Sequence, residues 1–245
     1  LWLTRQESAS ICYANSAVQC LFHCLPLRKA ILDYKPANGD PNRGENSKEP
    51  EPGPNGTNTE KDMLYELHLL FKTLASNKKA RGPFNHRRFI SAIKASNALF
   101  DNDEHHDSHE FINWLLDKVH EDFLRNQGAR GSADGNGVGA NPTSPVQDLF
   151  MGKLLNVVRC VTCETTTRRE ETFFNLSLDI EQNSSLIHCM QRFSVKELLN
   201  LDNKLTCDSC LTRQVATKEI IVGHYPKVLL VHLKRFRIDP RTFQQ

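Results

Sequence analysis

An α+β protein is predicted by three features of the sequence. Helical periodicity dominates the first half, short β-prone runs dominate the second, and a Gly-, Ala- and Asn-rich segment separates them. The 245 residues, 39% of them hydrophobic, suffice to bury the core of one large domain or two smaller lobes. Thirty-one basic residues against 29 acidic ones leave a net charge of +2, so no field of one sign recommends nucleic acid or an anionic membrane as partner. No run approaches the roughly 20 apolar residues of a membrane helix. The opening Leu-Trp-Leu-Thr-Arg-Gln has neither an initiator Met nor a signal-peptide pattern, and the N-terminus reads as cut.

The first helix is expected from Cys12, with Val18, Leu21, Phe22 and Leu25 on its apolar face and Pro26 marking its end or a kink. Residues 35–60, crowded with Pro, Gly, Asn and Glu, read as a flexible insertion. Met63, Leu64, Leu67, Leu70, Phe71 and Leu74 predict a strongly amphipathic helix, and Phe89, Ile90 and Ile93 a shorter one. A fourth runs from about Asp107 through Phe111, Leu115, Leu116, Val119 and Phe123. Residues 1–126 therefore form a helical part, 127–146 a linker and 147–245 a β-rich part. The β-rich part is expected to be antiparallel sheet, with strands at Leu154–Val161, Thr172–Ile180, Gln214–Val222 and Val228–Phe236 and a small helix around Val195–Leu199.

The most specific chemical signal is the pair of knuckles Cys160-Val161-Thr162-Cys163 and Cys207-Asp208-Ser209-Cys210. Each can turn two thiolates towards one ion, and two knuckles close a tetrahedral Zn2+ site with no position open to water, which makes the metal structural. Their separation exceeds that of a compact zinc ribbon, so they are expected at the tips of different hairpins. Such cysteine usage suits a reducing compartment, cytoplasmic or nuclear, better than a secreted disulfide framework. Cys189 reads as core.

Cys12, at an expected helix start, is the candidate nucleophile, because a helix N-terminus and a nearby imidazole both favour the thiolate. On pattern alone a buried structural cysteine is the default reading, and Cys20 and Cys24 keep it. The run Cys12-Tyr13-Ala14-Asn15-Ser16-Ala17-Val18-Gln19-Cys20-Leu21-Phe22 resembles the cysteine box of the ubiquitin-specific proteases. His105-His106-Asp107-Ser108-His109-Glu110-Phe111 is similar to that family's Gln-Gln-Asp box, and Val231-His232-Leu233-Lys234-Arg235-Phe236 to its Leu-His-Leu-Lys-Arg-Phe strand. The cysteine pairs fall where the family carries its zinc-binding fingers. Arg159-Cys160, Glu164-Thr165 and Asp179-Ile180-Glu181-Gln182-Asn183 further resemble the subgroup activated by WD-repeat proteins.

The resemblance implies a papain-like hand of helical thumb, β palm and zinc-tipped fingers, here with an incomplete palm. It implies hydrolysis of the bond after the C-terminal glycine of ubiquitin through an acyl-enzyme on Cys12, with ubiquitin and ubiquitinated proteins as partners and a WD-repeat protein as activator. Asp107 and Glu110 would bind the arginines of the ubiquitin tail, N-capping being the alternative for both acids. The family's catalytic histidine follows the Leu-His-Leu-Lys-Arg-Phe strand by many residues, so His106, His109 and His232 are not expected to be the base. Nine residues follow Phe236 and none is His, which places the base beyond residue 245 and predicts a chain inactive by itself. Glu7 and Ala9-Ser10-Ile11 depart from the family's oxyanion Asn and Gly-Asn-Thr run. A ubiquitin-binding pseudoenzyme is thus the competing function. A zinc-ribbon nucleic-acid module is disfavoured by the near-neutral charge and the lack of an aromatic-basic stripe.

Overall fold

The structure, a computed structural model, describes residues 12–35, 62–76, 87–102, 104–131 and 143–235, without the side chains of 128–131. The chain divides into two compact units, 1–147 and 148–245. Glu7, the segment preceding Cys12 and most of the 35–60 insertion lie outside the described residues. No helix among the described residues is long and apolar enough to cross a membrane.

The first unit is built from α1 (Cys12–His23), α2 (Leu25–Leu32), α3 (Met63–Ser76), α4 (Arg87–Ser96) and α5 (Ser108–Gly131). Pro26 ends the first helical run as its chemistry requires. Cys24 takes an extended conformation, and Pro26 falls in the opening positions of α2, where a missing N–H leaves no bond unmade. The stripe Phe111, Leu115, Leu116, Val119 and Phe123 of α5 is buried, as are Leu64, Leu67 and Phe71 of α3 and Leu27 and Ile31 of α2. His68 of α3 bonds through Nδ1 to the Ile31 carbonyl at 2.8 Å, tying α2 to α3. Glu66 and Arg88 tie α3 to α4 with a two-pronged pair, Nε to Oε2 and Nη2 to Oε1, both at 2.8 Å.

Of the linker expected at 127–146, residues 132–142 lie outside the described residues. Helix α5 continues to Gly131, and the described residues resume at Thr143, with Ser144 and Val146 fully buried at the start of α6 (Pro145–Phe150). Ser144 caps α6 by accepting the Gln147 N–H and is bonded to His120 of α5. A Gly- and Asn-rich composition could not reveal a serine held by a distant histidine.

Two acids, Asp122 buried and Asp62 half-buried, sit where α3 starts against α5. Asp62 accepts the Tyr65 N–H and the Tyr34 hydroxyl, each at 3.0 Å, while Asp122, 3% exposed, accepts the Leu64 N–H at 3.0 Å. Burial pushes the Asp122 carboxyl up to about 7; the Leu64 N–H opposes that shift and the neighbouring Asp62 adds to it. An unfolded aspartate titrates near about 3.9, so the folded chain holds a proton that the unfolded chain has released. The associated stability is complete below pH about 4 and is lost as pH rises through about 7. Asp122→Asn retains an acceptor for the Leu64 N–H and cannot ionise. It is expected to exceed the wild type in stability at pH 8 by about 1–2 kcal/mol and to flatten the slope between pH 5 and 8. Urea unfolding at both pH values checks this, and an unchanged slope would count against it.

The second unit contains β1 (Gly152–Cys160), β2 (Thr166–Phe173), β3 (Asn175–Asp179), α7 (Leu186–Phe193), β4 (Glu197–Leu199), β5 (Leu205–Cys207), β6 (Thr212–Gln214), β7 (Ala216–His224) and β8 (Leu230–Lys234). Four strands form an antiparallel sheet in the order β2-β1-β7-β4, and β5 and β6 form a separate antiparallel hairpin. Strand β3 pairs with β8 in parallel, which corrects the expectation of wholly antiparallel sheet. The helix expected at Val195–Leu199 is also corrected. Glu197–Leu199 pairs with β7, and the helix lies earlier, at Leu186–Phe193, where Ser185 caps it by accepting the His188 N–H. Strand β2 carries no alternation of apolar and polar residues, because Thr166–Thr172 is polar and exposed on both faces. Gly152 opens β1 where an added Cβ would meet the Phe173 ring and lie 2.9 Å from the His224 carbonyl oxygen. The core gathers Phe173, Leu176, Leu178 and Cys189 with Val222, Val231 and Leu233. Cys189 is therefore core, as expected.

Candidate active site and metal centre

Helix α1 begins at Cys12, whose thiol is exposed at the helix's positive end. The first turn is held by Tyr13, 8% exposed, whose ring packs on Phe100 at 5.9 Å, Phe111 at 5.4 Å and His106 at 5.4 Å between centroids. Burial, with a smaller contribution from Cys12, raises the Tyr13 phenol above its ordinary value, so it stays neutral. His106 is wedged against Phe100 as well, at 5.3 Å, and its Nε2 meets Asn102 Oδ1 at 2.7 Å. This aromatic wedge docks the segment before α5 onto the start of α1. The neighbouring His105 is brought to the nucleophile, with its Nδ1 3.9 Å from Cys12 Sγ.

His105 is the residue that sequence reasoning passed over. It stands in a box position where the resembled family carries Gln, and no periodicity distinguishes it. Its approach to Cys12 was not among the expectations, which concerned His106, His109 and His232. The histidines weighed before it have other company among the described residues. His109 Nε2 lies 3.1 Å from Asn113 Nδ2, and His232 Nδ1 lies 3.3 Å from Ser177 Oγ. Cys20 is exposed and Cys24 half-buried, so neither is the buried structural cysteine that helical spacing suggested.

Asp107 is the N-cap of α5. Its Oδ1 accepts the His109 N–H at 2.8 Å and its carbonyl accepts the Phe111 N–H at 3.0 Å. Glu110 follows in the first turn, where a carboxylate meets the positive helix end. Both acids are exposed. Capping thus occupies one oxygen of Asp107, and a substrate role for either acid belongs to the proposal below.

The four knuckle cysteines, in the second unit, converge as their spacing predicts. The sulfurs of Cys160, Cys163, Cys207 and Cys210 all lie within 4.8 Å of one another, Cys163 and Cys207 being 3.5 Å apart. Ligands about 2.3 Å from a tetrahedral zinc stand about 3.8 Å apart, so the donor set fits that ion. The knuckles sit at the β1–β2 and β5–β6 turns, as expected for two hairpin tips, and Thr165 Oγ1 and Ser209 Oγ join them at 3.1 Å. Hydrogen bonds from Thr165 lower the Cys163 thiol to about 6, whereas the adjoining Cys163 pushes Cys210 up to about 12. Four crowded thiols cannot all ionise without a cation among them.

Each knuckle closes on a left-handed residue, Glu164 at φ 59° and Leu211 at φ 54°, and the Leu211 N–H donates to the Cys207 carbonyl at 2.8 Å. Leu211 is 82% exposed, so its side chain contributes little packing to offset the backbone strain. Leu211→Gly is expected to stabilise the zinc-loaded unit by about 0.5–1 kcal/mol, the relief being partly cancelled by the freer unfolded chain. A lower melting temperature in that variant would contradict the assignment.

The first unit thus carries an exposed thiol at a helix start with an imidazole near it, and the second a cluster of four thiols able to hold a metal ion. The ubiquitin carboxyl-terminal hydrolase family matches residues 6–245. The chain is 35% identical over 237 residues to ubiquitin carboxyl-terminal hydrolase 12 of Salmo salar, covering 92% of this chain and 59% of that protein. It is 36% identical over 251 residues to ubiquitin carboxyl-terminal hydrolase 4 of Arabidopsis thaliana, covering 95% of this chain and 64% of that one. The chain thus spans about three-fifths of the length of these curated relatives. It also matches a chain of the SAGA Ubp8/Sgf11/Sus1/Sgf73 DUB module bound to ubiquitin aldehyde, with TM-score 0.73 and 22% identity over 98% of this chain and 48% of that chain. At that identity the likeness establishes the fold. This chain belongs to the ubiquitin carboxyl-terminal hydrolase family, and its fold is the α+β, papain-like one that the sequence predicted.

Proposed function

We propose that the chain is the nucleophile-bearing and zinc-bearing part of a thiol-dependent deubiquitinase, which hydrolyses the bond after the C-terminal glycine of ubiquitin. The observation that carries this reading is the exposed Cys12 thiol at the first residue of α1, with the segment bearing His105 and Asp107 docked beside it. In this reading Cys12 attacks the carbonyl carbon, the amine of the target protein leaves, and water releases ubiquitin from the thioester. The catalytic histidine that completes the cycle is supplied by chain beyond residue 245. Asp107 and Glu110 accept charge-assisted hydrogen bonds from the arginines of the ubiquitin tail. Cys160, Cys163, Cys207 and Cys210 hold a structural zinc. The partners are ubiquitin and ubiquitinated proteins, with a WD-repeat protein as activator, in the cytoplasm or nucleus.

Reaction of the protein with a ubiquitin probe carrying a C-terminal electrophile tests this. Covalent capture is expected at Cys12 and is expected to vanish in Cys12→Ala, while Asp107→Ala is expected to slow it about tenfold or more through the lost arginine contact. Tight binding of ubiquitin without capture would instead establish the ubiquitin-binding pseudoenzyme.

A further inference from the structure

We propose that His105 is the local proton acceptor of the Cys12 thiol, forming a thiolate–imidazolium pair within this chain that is separate from the catalytic histidine placed beyond residue 245. The inference rests on the reading of Cys12 as nucleophile and adds the group that activates it.

Three observations converge on it. The Nδ1···Sγ separation of 3.9 Å is long for a sulfur hydrogen bond, but nucleophile–base contacts are looser without substrate than with it. The imidazole is also not on a wandering loop. Its neighbour His106 is fixed by Tyr13, Phe100 and Asn102, and Asp107 starts α5 two residues on, so the backbone at His105 is held from both sides. Finally, Cys12 heads α1, whose positive end stabilises a thiolate once the proton has gone. The pair needs the neutral ring to carry its hydrogen on Nε2, leaving Nδ1 as the acceptor.

The step is a simple transfer. The Cys12 S–H bond breaks, an N–H bond forms at His105 Nδ1, and the sulfur retains the electron pair with which it attacks. Among the described residues, the other ionisable groups nearby in the chain are Tyr13 on α1, Asp101, Glu104, His106 and Asp107 on the docked segment, and His109 and Glu110 in the first turn of α5. Tyr13 is held neutral by burial.

Alkylation by iodoacetamide, followed residue by residue with mass spectrometry from pH 5.5 to 10, reads the pair directly. The thiolate displaces iodide as the C–S bond forms, so the rate tracks the thiolate fraction. His105→Gln places the family's own side chain there, keeping hydrogen bonding and removing the base. It is expected to slow Cys12 alkylation about tenfold near pH 6.5 and to converge with the wild type near pH 10, where both thiols are ionised. His105→Asn is expected to behave alike, and the exposed Cys20 serves as the internal reference. Superimposable Cys12 profiles in wild type and both variants overturn the pair. So does a parallel change at Cys20, which would mean that α1 had loosened. Because the ubiquitin probe is a separate measurement, loss of probe capture with the alkylation difference intact would remove the proposed function and leave the pair standing.

Discussion

Cys207→Ser is expected to abolish zinc retention and to unfold much of the second unit while leaving the first intact. Cys207 is 6% exposed at the end of β5 and 3.5 Å from Cys163 of the other knuckle. Strands β5 and β6 are three residues each, too short to hold a hairpin by their own hydrogen bonds. A zinc ion held by the four thiolates would supply what the hairpin lacks, since structural zinc binds peptides of this ligand type with an apparent free energy of about 10–16 kcal/mol. Removing one thiolate opens the tetrahedron and returns its lost binding energy as lost folding energy. Purified wild type is expected to carry one equivalent of zinc and Cys207→Ser less than a tenth of one. Hydrogen exchange should accelerate by orders of magnitude at the β1–β2 and β5–β6 tips and little in α3 and α5. A zinc-free wild type, or a variant with unchanged exchange at those tips, would remove the metal assignment.

Phe111→Ala is expected to destabilise the first unit by about 3–5 kcal/mol, a loss large enough to unfold many domains of this size. Phe111 is fully buried, and its ring meets Tyr13 at 5.4 Å, Phe100 at 5.4 Å and Trp114 at 5.8 Å. No neighbour can collapse into the void without abandoning the wedge that holds His106, so the cavity cost adds to the lost transfer energy. The same wedge positions His105 beside Cys12. Phe111→Leu, which keeps most of the volume, is therefore expected to fold and yet to show a smaller pH-dependent advantage in Cys12 alkylation. Equal denaturant midpoints for Phe111→Ala and wild type would show that the wedge is not a core element.

The periodicity of the helices was readable because each buries one face against the others, and burial of one face leaves a 3.6-residue repeat in any sequence. The stripe from Phe111 to Phe123 carries that mark, and the α+β division follows from it. The two knuckles were readable for a different reason. Metal ligation fixes both residue type and local spacing, so Cys160–Cys163 and Cys207–Cys210 announce a candidate site even though Cys163 and Cys207 are 44 positions apart.

Pairings that depend on distant partners left no such mark. Strand β2 is exposed and polar, and its strand character comes from its hydrogen bonds to β1. Likewise, β4 is a strand only because β7 offers it an edge, and the parallel sense of β3 and β8 depends on the path of the chain between them. Cys12 and His105 stand 93 residues apart, and their approach is decided by Tyr13, Phe100 and His106 meeting around Phe111. Local spacing by itself determined the fold class and marked the two cysteine knuckles, and the resemblance of the motifs pointed to the family. Only the tertiary structure decided which imidazole reaches the thiol, because that contact is set by packing between elements rather than by any repeat within one.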